Sequence, residues 1–261
     1  MGELEREYAR LSGIARDAAE AAAGPIRHYY RGGANVRYKE DDSPVTAADE
    51  AAEAAIREVL RAACPDHGIF GEEGGAEGLD KEWLWLVDPI DGTKGFVRGD
   101  PLFSTQIALM HRGELVLGVS SASEFGELAW AWRGGGAWLN GERLHCSATD
   151  SFDRTILSFG NIQSLAADPR RWQAVGSLVQ RVHRHRGYGD FLHYHRLAQG
   201  RIDAVVESDL NILDIAALAV IVTEAGGVMT DLEGQALNLK TRSIVAGCPA
   251  MHPQILEALR G

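Results

Sequence analysis

Positive charge is scarce in this 261-residue chain: 26 Lys and Arg stand against 37 Asp and Glu, a net charge of −11. That balance argues against nonspecific binding to nucleic acid or to an anionic membrane. It also sets a problem if the ligand is itself an anion, one that an intervening cation would solve. Cysteine is scarce too. Cys64, Cys146 and Cys248 are isolated and odd in number, and no C-x-x-C spacing occurs. Neither a disulfide framework nor a zinc site is expected, and a reducing cytoplasm is the expected compartment. No apolar run reaches transmembrane length. The opening stretch "MGELEREYARLSGIARDAAEAAAG" lacks the apolar centre of a signal peptide, and Gly2 lacks a myristoylation context because residue 6 is Arg. Internal repeats and low-complexity linkers are absent.

What is present is an ordinary globular composition, 45% hydrophobic and 24% charged. The length fits one large domain or two small ones. Residues 4–23 read as an amphipathic helix ended by Gly24-Pro25. The polar stretch "YKEDDSP" reads as an exposed loop, and residues 45–64 as a second helix, with Thr46 and Asp49 spaced as a capping box. Strand-like runs follow: "GIF", "WLWLVD", "STQIALMH" and "ELVLGVSSA". "RGE" (112–114) and Asn140-Gly141 are hairpin signals. From about Ser151 strands alternate with helices. They include "TILSF", "RRWQAVGSLVQR", "DFLHYHRLAQG", "IDAVVE" and a strongly apolar helix "LDIAALAVIVTEAGG" closed by Gly226-Gly227. An antiparallel-rich first half and an alternating second half predict a layered α/β protein.

The chemistry is concentrated in "DPIDGTKGF" (88–96), which follows the apolar run "WLWLV". Pro89 lacks an amide hydrogen and restricts the residue before it, so Asp88 is expected to end a buried strand at the edge of a sheet, where ligands bind. The chain then turns at Asp91-Gly92, and Thr93 opens a helix. Asp88, the Ile90 carbonyl and Asp91 would share one pole, offering the oxygen donors a hard divalent cation requires. The plainer alternative is a strand and a turn with Asp91 capping a helix. Glu72 and Glu73 in "GIFGEEGG" and Asp214 at the head of its helix are further acids. Taken singly, they read as a solvated loop and a first-turn acid favoured by the helix dipole.

Taken together, "GEE", "DPIDGT" and the downstream "LDIAALAVIVTEAGG" resemble the inositol monophosphatase family of lithium-sensitive, metal-dependent phosphatases, over about residues 46–247. The resemblance implies one catalytic domain over 1–261, with a metal-binding half to about 150 and an α/β half from 151. The fold implied is an αβαβα sandwich whose first sheet is mixed and largely antiparallel. It implies two or three Mg²⁺ ions. Glu72, Asp88 and the Ile90 carbonyl would hold one, and Asp88, Asp91 and Asp214 a second, while Glu72 would help place a third. Thr93 and Asp49, with Glu72, would activate the attacking water, and the Gly92 and Thr93 amides would meet the phosphate. Two such metals clamp the oxygens of an in-line displacement. The family usually has Trp before the last metal-binding Asp; this chain has Leu213, a smaller apolar support.

Lys94 after "DPIDGT", "YGDF" at 188–191 and "DIAAL" at 214–218 resemble the histidinol-phosphate phosphatase branch. The resemblance implies a small phosphorylated metabolite as substrate, in histidine biosynthesis. Asp190 and Glu207, with Asp91 and Asp214, would line its site, and the first two would read its amine and imidazole. Asp190 reads equally well as a helix N-cap. Inositol 1-phosphate, other sugar or nucleotide phosphates, and a catalytically silent regulatory homologue are the alternatives. His183, His185, His193 and His195 lie in H-x-H pairs that cannot both face one way on a helix, so no zinc site is expected. The tryptophans read as core or interface. The family suggests a homodimer, with the apolar strands around 104–131 as a candidate contact, and "KEDDSP" as a loop over the site.

Overall fold

In a computed structural model the chain is described over residues 2–32, 36–38 and 44–260, with 36–38 and 44–46 described by backbone alone. Helix α1 (Glu3–Gly32) packs along α2 (Ala47–Ala63), and between them β1 (Val36–Tyr38) pairs antiparallel with β2 (Pro44–Thr46). The polar stretch 39–43 and the Thr46 side chain lie outside the described residues.

The first sheet is built from β3 (Gly68–Gly71), β4 (Gly75–Glu77), β5 (Trp83–Asp91), β6 (Ser104–His111), β7 (Glu114–Ala122), β8 (Glu127–Trp132), β9 (Gly136–Leu139) and β10 (Glu142–Arg143). Its order is β10-β9-β8-β7-β6-β5-β3-β4, and among the described strands of this sheet only the β3–β5 pair is parallel. Helix α3 (Thr93–Val97) follows β5. The second sheet holds β11 (Ile156–Phe159), β12 (Arg184–Arg186), β13 (Ala204–Ser208), β14 (Val228–Thr230) and β15 (Ser243–Gly247), ordered β12-β11-β13-β15-β14. Between its strands come α4 (Gln163–Ala167), α5 (Pro169–Arg181), α6 (Asp190–Ala198) and α7 (Ile212–Glu224), with α8 (Met251–Arg260) at the end.

Strand alternation assembles these elements into five layers. On β5, Trp85 and Val87 face α1 and α2, while Leu84 and Leu86 face the opposite way, onto α6 and α7. Helix α7 is apolar on every side because it lies between two sheets. Amphipathic α5 and α8 cover the outer face of the second sheet. The approach of α7 to the first sheet is close: a Cβ at Gly118 would fall 2.2 Å from the Ala217 carbonyl oxygen. The layered αβαβα sandwich expected from the sequence is the fold observed.

Both hairpin signals form tight two-residue turns, Arg112 (φ 53°)-Gly113 (φ 80°) and Asn140 (φ 49°)-Gly141 (φ 85°). Helix α1, however, does not stop at Gly24-Pro25. Proline costs a helix interior about 3 kcal/mol, but packing outweighs that cost. Ile26 is buried, and Tyr30 packs on Phe96 and Phe103 at 5.5 and 5.0 Å and donates its hydroxyl to the Gly99 carbonyl at 2.8 Å. The strands around 104–131, offered as a self-contact, are covered within one chain by α1 on one face and α7 on the other. Among the described residues no helix is long and apolar enough to cross a membrane.

Candidate active site

Asp88 and Asp91 sit three residues apart, a spacing that strict alternation would send to opposite faces of the sheet. The structure corrects the expectation that Asp88 ends its strand. Strand β5 continues to Asp91 through a bulge: Asp88 pairs with Gln106 and Asp91 with Ser104, three residues against two. The extra residue brings both carboxylates to the α6–α7 face. Pro89 is tolerated there because a bulge leaves a donor position free. Its carbonyl accepts the Thr105 hydroxyl at 2.8 Å, and Asp88 accepts the Ile90 amide at 3.0 Å. The turn out of the strand needs glycine. Gly92 has φ 90°, and a Cβ on it would meet the Leu102 carbonyl oxygen at 2.6 Å. Thr93 opens α3, and its hydroxyl donates to the Ile90 carbonyl at 3.0 Å. Asp91 makes no helix-capping bond; the cap position belongs to Gly92.

Asp214 arrives from the second half of the chain, in the first turn of α7. A capping box orients it: Asp214 accepts the Asn211 amide at 2.8 Å, and the Asn211 side chain accepts from Leu213 at 3.3 Å. Leu213, standing where the family has Trp, is 2% exposed in the core between the sheets. Asp88, Asp91 and Asp214 each offer an oxygen, and the three atoms lie within 4.8 Å of one another. Glu72 follows β3, its amide donating to the Val87 carbonyl at 3.1 Å, and its carboxyl reaches Asp88 from outside that tight group. Asp49 is fully buried in the first turn of α2.

A crevice lined by Asp91, Asn161, Asp190, Tyr194, Glu207 and Asp214 joins the acids to the expected substrate residues. Asp190 is not a capping residue: Gly189 precedes α6, with no side-chain cap, and Asp190 stands at φ 46° beside the crevice. Glu207 is 4% exposed and already accepts three hydrogen bonds, from the Asn161 amide (3.2 Å), His193 (3.1 Å) and the Tyr194 hydroxyl (2.6 Å). A Cβ at Gly160 would fall 2.0 Å from it. The sequence reading missed Asn161 and Tyr194. Tyr194 stands four residues after Asp190, the spacing that puts two side chains on one helix face, so it was open to detection.

Crowding sets the electrostatics. Burial, then the charges of Glu72, Asp91 and Asp214, push the Asp88 pKa well up. Burial, then Asp190 and Asp214, do the same to Asp91. Burial raises Asp214; the Asn211 amide pulls it back, and Glu72 and Glu207 add their repulsion, leaving it at about 7. Burial and Glu207 lift Asp190 to about 6. For Glu207 burial acts upward too, but the His193 charge and the hydrogen bonds win, and its carboxyl is held low. The cluster contains carboxylate oxygens and neither histidine nor cysteine. That donor set suits a hard cation such as Mg²⁺ and does not suit zinc.

The histidines separate as the H-x-H spacing requires. His183 and His185 are exposed at the edge of the second sheet. On α6, His193 turns to Glu207. His195 turns the other way, donating to Glu127 at 2.8 Å and accepting from Ser120 at 2.9 Å. Ser120 accepts from Gln106, the residue opposite Asp88. Burial holds His195 below the ordinary histidine range, although its bond to Glu127 pulls upward. The folded chain therefore favours the neutral ring, while the unfolded chain takes up a proton near pH 6.5. This residue's contribution is present above pH 6.5 and is lost as the pH falls below it. His195→Gln is expected to flatten the decline of melting temperature between pH 7 and 5; an unchanged slope contradicts the assignment.

Comparison with known proteins agrees with this geometry. The model of the inositol monophosphatase family matches residues 7–261. The chain is 38% identical over 226 residues to a histidinol-phosphatase of Mycobacterium tuberculosis, covering 85% of this chain and 86% of the relative. It is 36% identical over 268 residues to an inositol-1-monophosphatase of Caulobacter vibrioides, covering 100% and 99%. The crystal structure of the extragenic suppressor protein suhB from Bartonella henselae superimposes with a TM-score of 0.87 at 30% identity, over 96% of this chain and 98% of that one. With a family match over nearly its whole length and the acids of the family's motifs gathered at one pole, the chain belongs to the inositol monophosphatase family.

Proposed function

We propose that the protein is a magnesium-dependent phosphomonoester hydrolase that acts on histidinol phosphate, in one catalytic domain working in the cytoplasm as a homodimer. The observation that carries the reading is the convergence of Asp88, Asp91 and Asp214 within 4.8 Å, with Asp91 and Asp214 also lining a crevice that holds Asp190 and Glu207. Asp88, Asp91 and Asp214, with Glu72 and the Ile90 carbonyl, would hold two or three Mg²⁺ ions. When bound, these supply the positive charge that neutralises the phosphate and acidifies the attacking water. The chain's own residues do the rest. Thr93 would orient that water, and Asp49 would take up its proton. The Gly92 and Thr93 amides bind phosphate oxygens. Hydrolysis of such esters is among the slowest uncatalysed reactions, so most of the barrier is lowered electrostatically.

Asp190 and Glu207 support the choice of substrate. Histidinol phosphate carries a cationic amine and an imidazole beside its phosphate, and these two acids extend the negative field of the crevice away from the metal cluster. Asp190 has the freer carboxyl and is assigned the direct contact; Glu207, tied to three donors, holds the field in place. Asp190→Asn is expected to lower kcat/KM for histidinol phosphate by about 10- to 100-fold, the worth of one charged contact, and to change inositol 1-phosphate hydrolysis by less than about 3-fold. Equal losses on both substrates refute the assignment. The inositol-phosphate alternative is favoured by the full-length likeness to the Caulobacter relative. Phosphate release from histidinol phosphate, inositol 1-phosphate, fructose 1,6-bisphosphate and 3′-phosphoadenosine 5′-phosphate, each with Mg²⁺, decides between them. Release from none of the four would leave the regulatory alternative.

A further inference from the structure

Helix α2 carries a polar stripe at helical spacing, Asp49, Glu53 and Arg57, and all three are buried, at 0%, 2% and 6% exposure. Arg57 bonds Glu53 at 2.6 Å. Both then reach the turn that carries Glu72. Glu53 accepts the Glu73 amide at 2.7 Å and the Gly74 amide at 2.9 Å, while Arg57 donates to the Gly75 carbonyl at 2.6 Å. Backbone groups of three successive residues, Glu73 to Gly75, are thus held by one ion pair. The turn lies directly on that pair. A Cβ at Gly71 would fall 2.2 Å from the Glu53 carboxylate, and one at Gly74 would fall 2.7 Å from it and 2.9 Å from Arg57.

A buried ion pair is an expensive way to fasten a turn, because apolar packing of the same volume often serves stability better. What charge-assisted bonds to backbone amides add is fixed geometry. Geometry is what this turn requires. Glu72 stands beside Asp88, outside the tight group of Asp88, Asp91 and Asp214, so its reach to a cation held there depends on where its turn is fixed. We propose that Glu53, clamped by Arg57, is a positioning residue that fixes the Glu72 turn and so sets the affinity of the acidic cluster for its divalent cation. The inference rests on the metal reading given above.

Titration of Mg²⁺ alone into the metal-free full-length chain, followed by calorimetry, tests it in two variants. Glu53→Gln keeps the shape and removes the charge. Gly74→Ala leaves both charges in place and pushes on the clamp from the exposed turn, so it tests the idea even if the buried variant fails to fold. Each is expected to weaken Mg²⁺ binding by about 10- to 100-fold, the usual cost of losing support behind a metal ligand, with kcat largely recovered at saturating Mg²⁺. Ile56→Val, buried on the same helix, is expected to lower the melting temperature and leave the isotherm unchanged. Wild-type isotherms for the variants, from a wild-type chain that binds Mg²⁺, overturn the positioning role alone. A wild-type chain that binds no Mg²⁺ overturns the metal reading, and this inference with it.

Discussion

Asp88→Asn is expected to lower Mg²⁺-dependent phosphate release by about a thousandfold or more, near 4 kcal/mol of transition-state stabilisation, in a protein that stays folded. The side chain is 2% exposed and faces Glu72, Asp91 and Asp214, so the amide removes the most central negative charge of the cluster. Loss of one oxygen ligand from a hard-cation site is not repaired by an amide nitrogen. The fold tolerates the change, because burial and three neighbouring carboxylates already disfavour the ionised form. The metal-free variant is therefore expected to melt at or above the wild-type temperature. A phosphate assay and a melting curve on the same preparation check both halves. Turnover near the wild-type rate would remove Asp88 from the reaction, and loss of cooperative melting would assign it to the fold.

Magnesium itself is expected to raise the melting temperature of chelator-treated protein by about 5–10 °C at pH 8. A ligand at a hundred times its dissociation constant adds about 2.7 kcal/mol, and 1 kcal/mol moves a chain of this size by about 2–4 °C. The increment should shrink at pH 6. Asp214 titrates at about 7 and Asp190 at about 6. Groups with raised folded-state values keep their protons, and favour the metal-free fold, below their ordinary range; that advantage is lost as the pH rises through the raised values. The cation must displace these protons at pH 6 and finds them largely gone at pH 8. Scanning fluorimetry with and without Mg²⁺ at both pH values reads the effect. Equal increments at the two pH values would separate cation binding from the acidic cluster.

The acids of the site were legible because each is flanked by local chemistry that sequence displays: a proline after an apolar strand, a D-G turn, a helix-opening acid. Their convergence on one cluster was implied by the family resemblance, but the geometry that produces it was not legible. Asp88 and Asp91 share a face only through a bulge against β6, and a bulge is a property of two strands, invisible in either one. Asp214 lies more than a hundred residues away and is aimed by a capping box with Asn211, a pattern that any helix start displays. Helix α1 ran past Pro25 because Tyr30 found Phe96 and Phe103 across the fold, a contact no window of sequence contains. Glu53 and Arg57 look like a solvated ion pair on an amphipathic helix, four residues apart. Only the tertiary structure shows the pair buried beneath the turn of Glu72.

Glu207 is already tied to His193, Tyr194 and Asn161, so substrate selectivity rests chiefly on Asp190. The cluster itself can be interrogated without any substrate. Crystals soaked in Mn²⁺ and measured at its absorption edge should show at least two anomalous peaks, about 3.5–4 Å apart, one of them bounded by Asp88, Asp91 and Asp214. Peaks elsewhere on the surface, with none among these three carboxylates, would contradict the reading on which every other conclusion here depends.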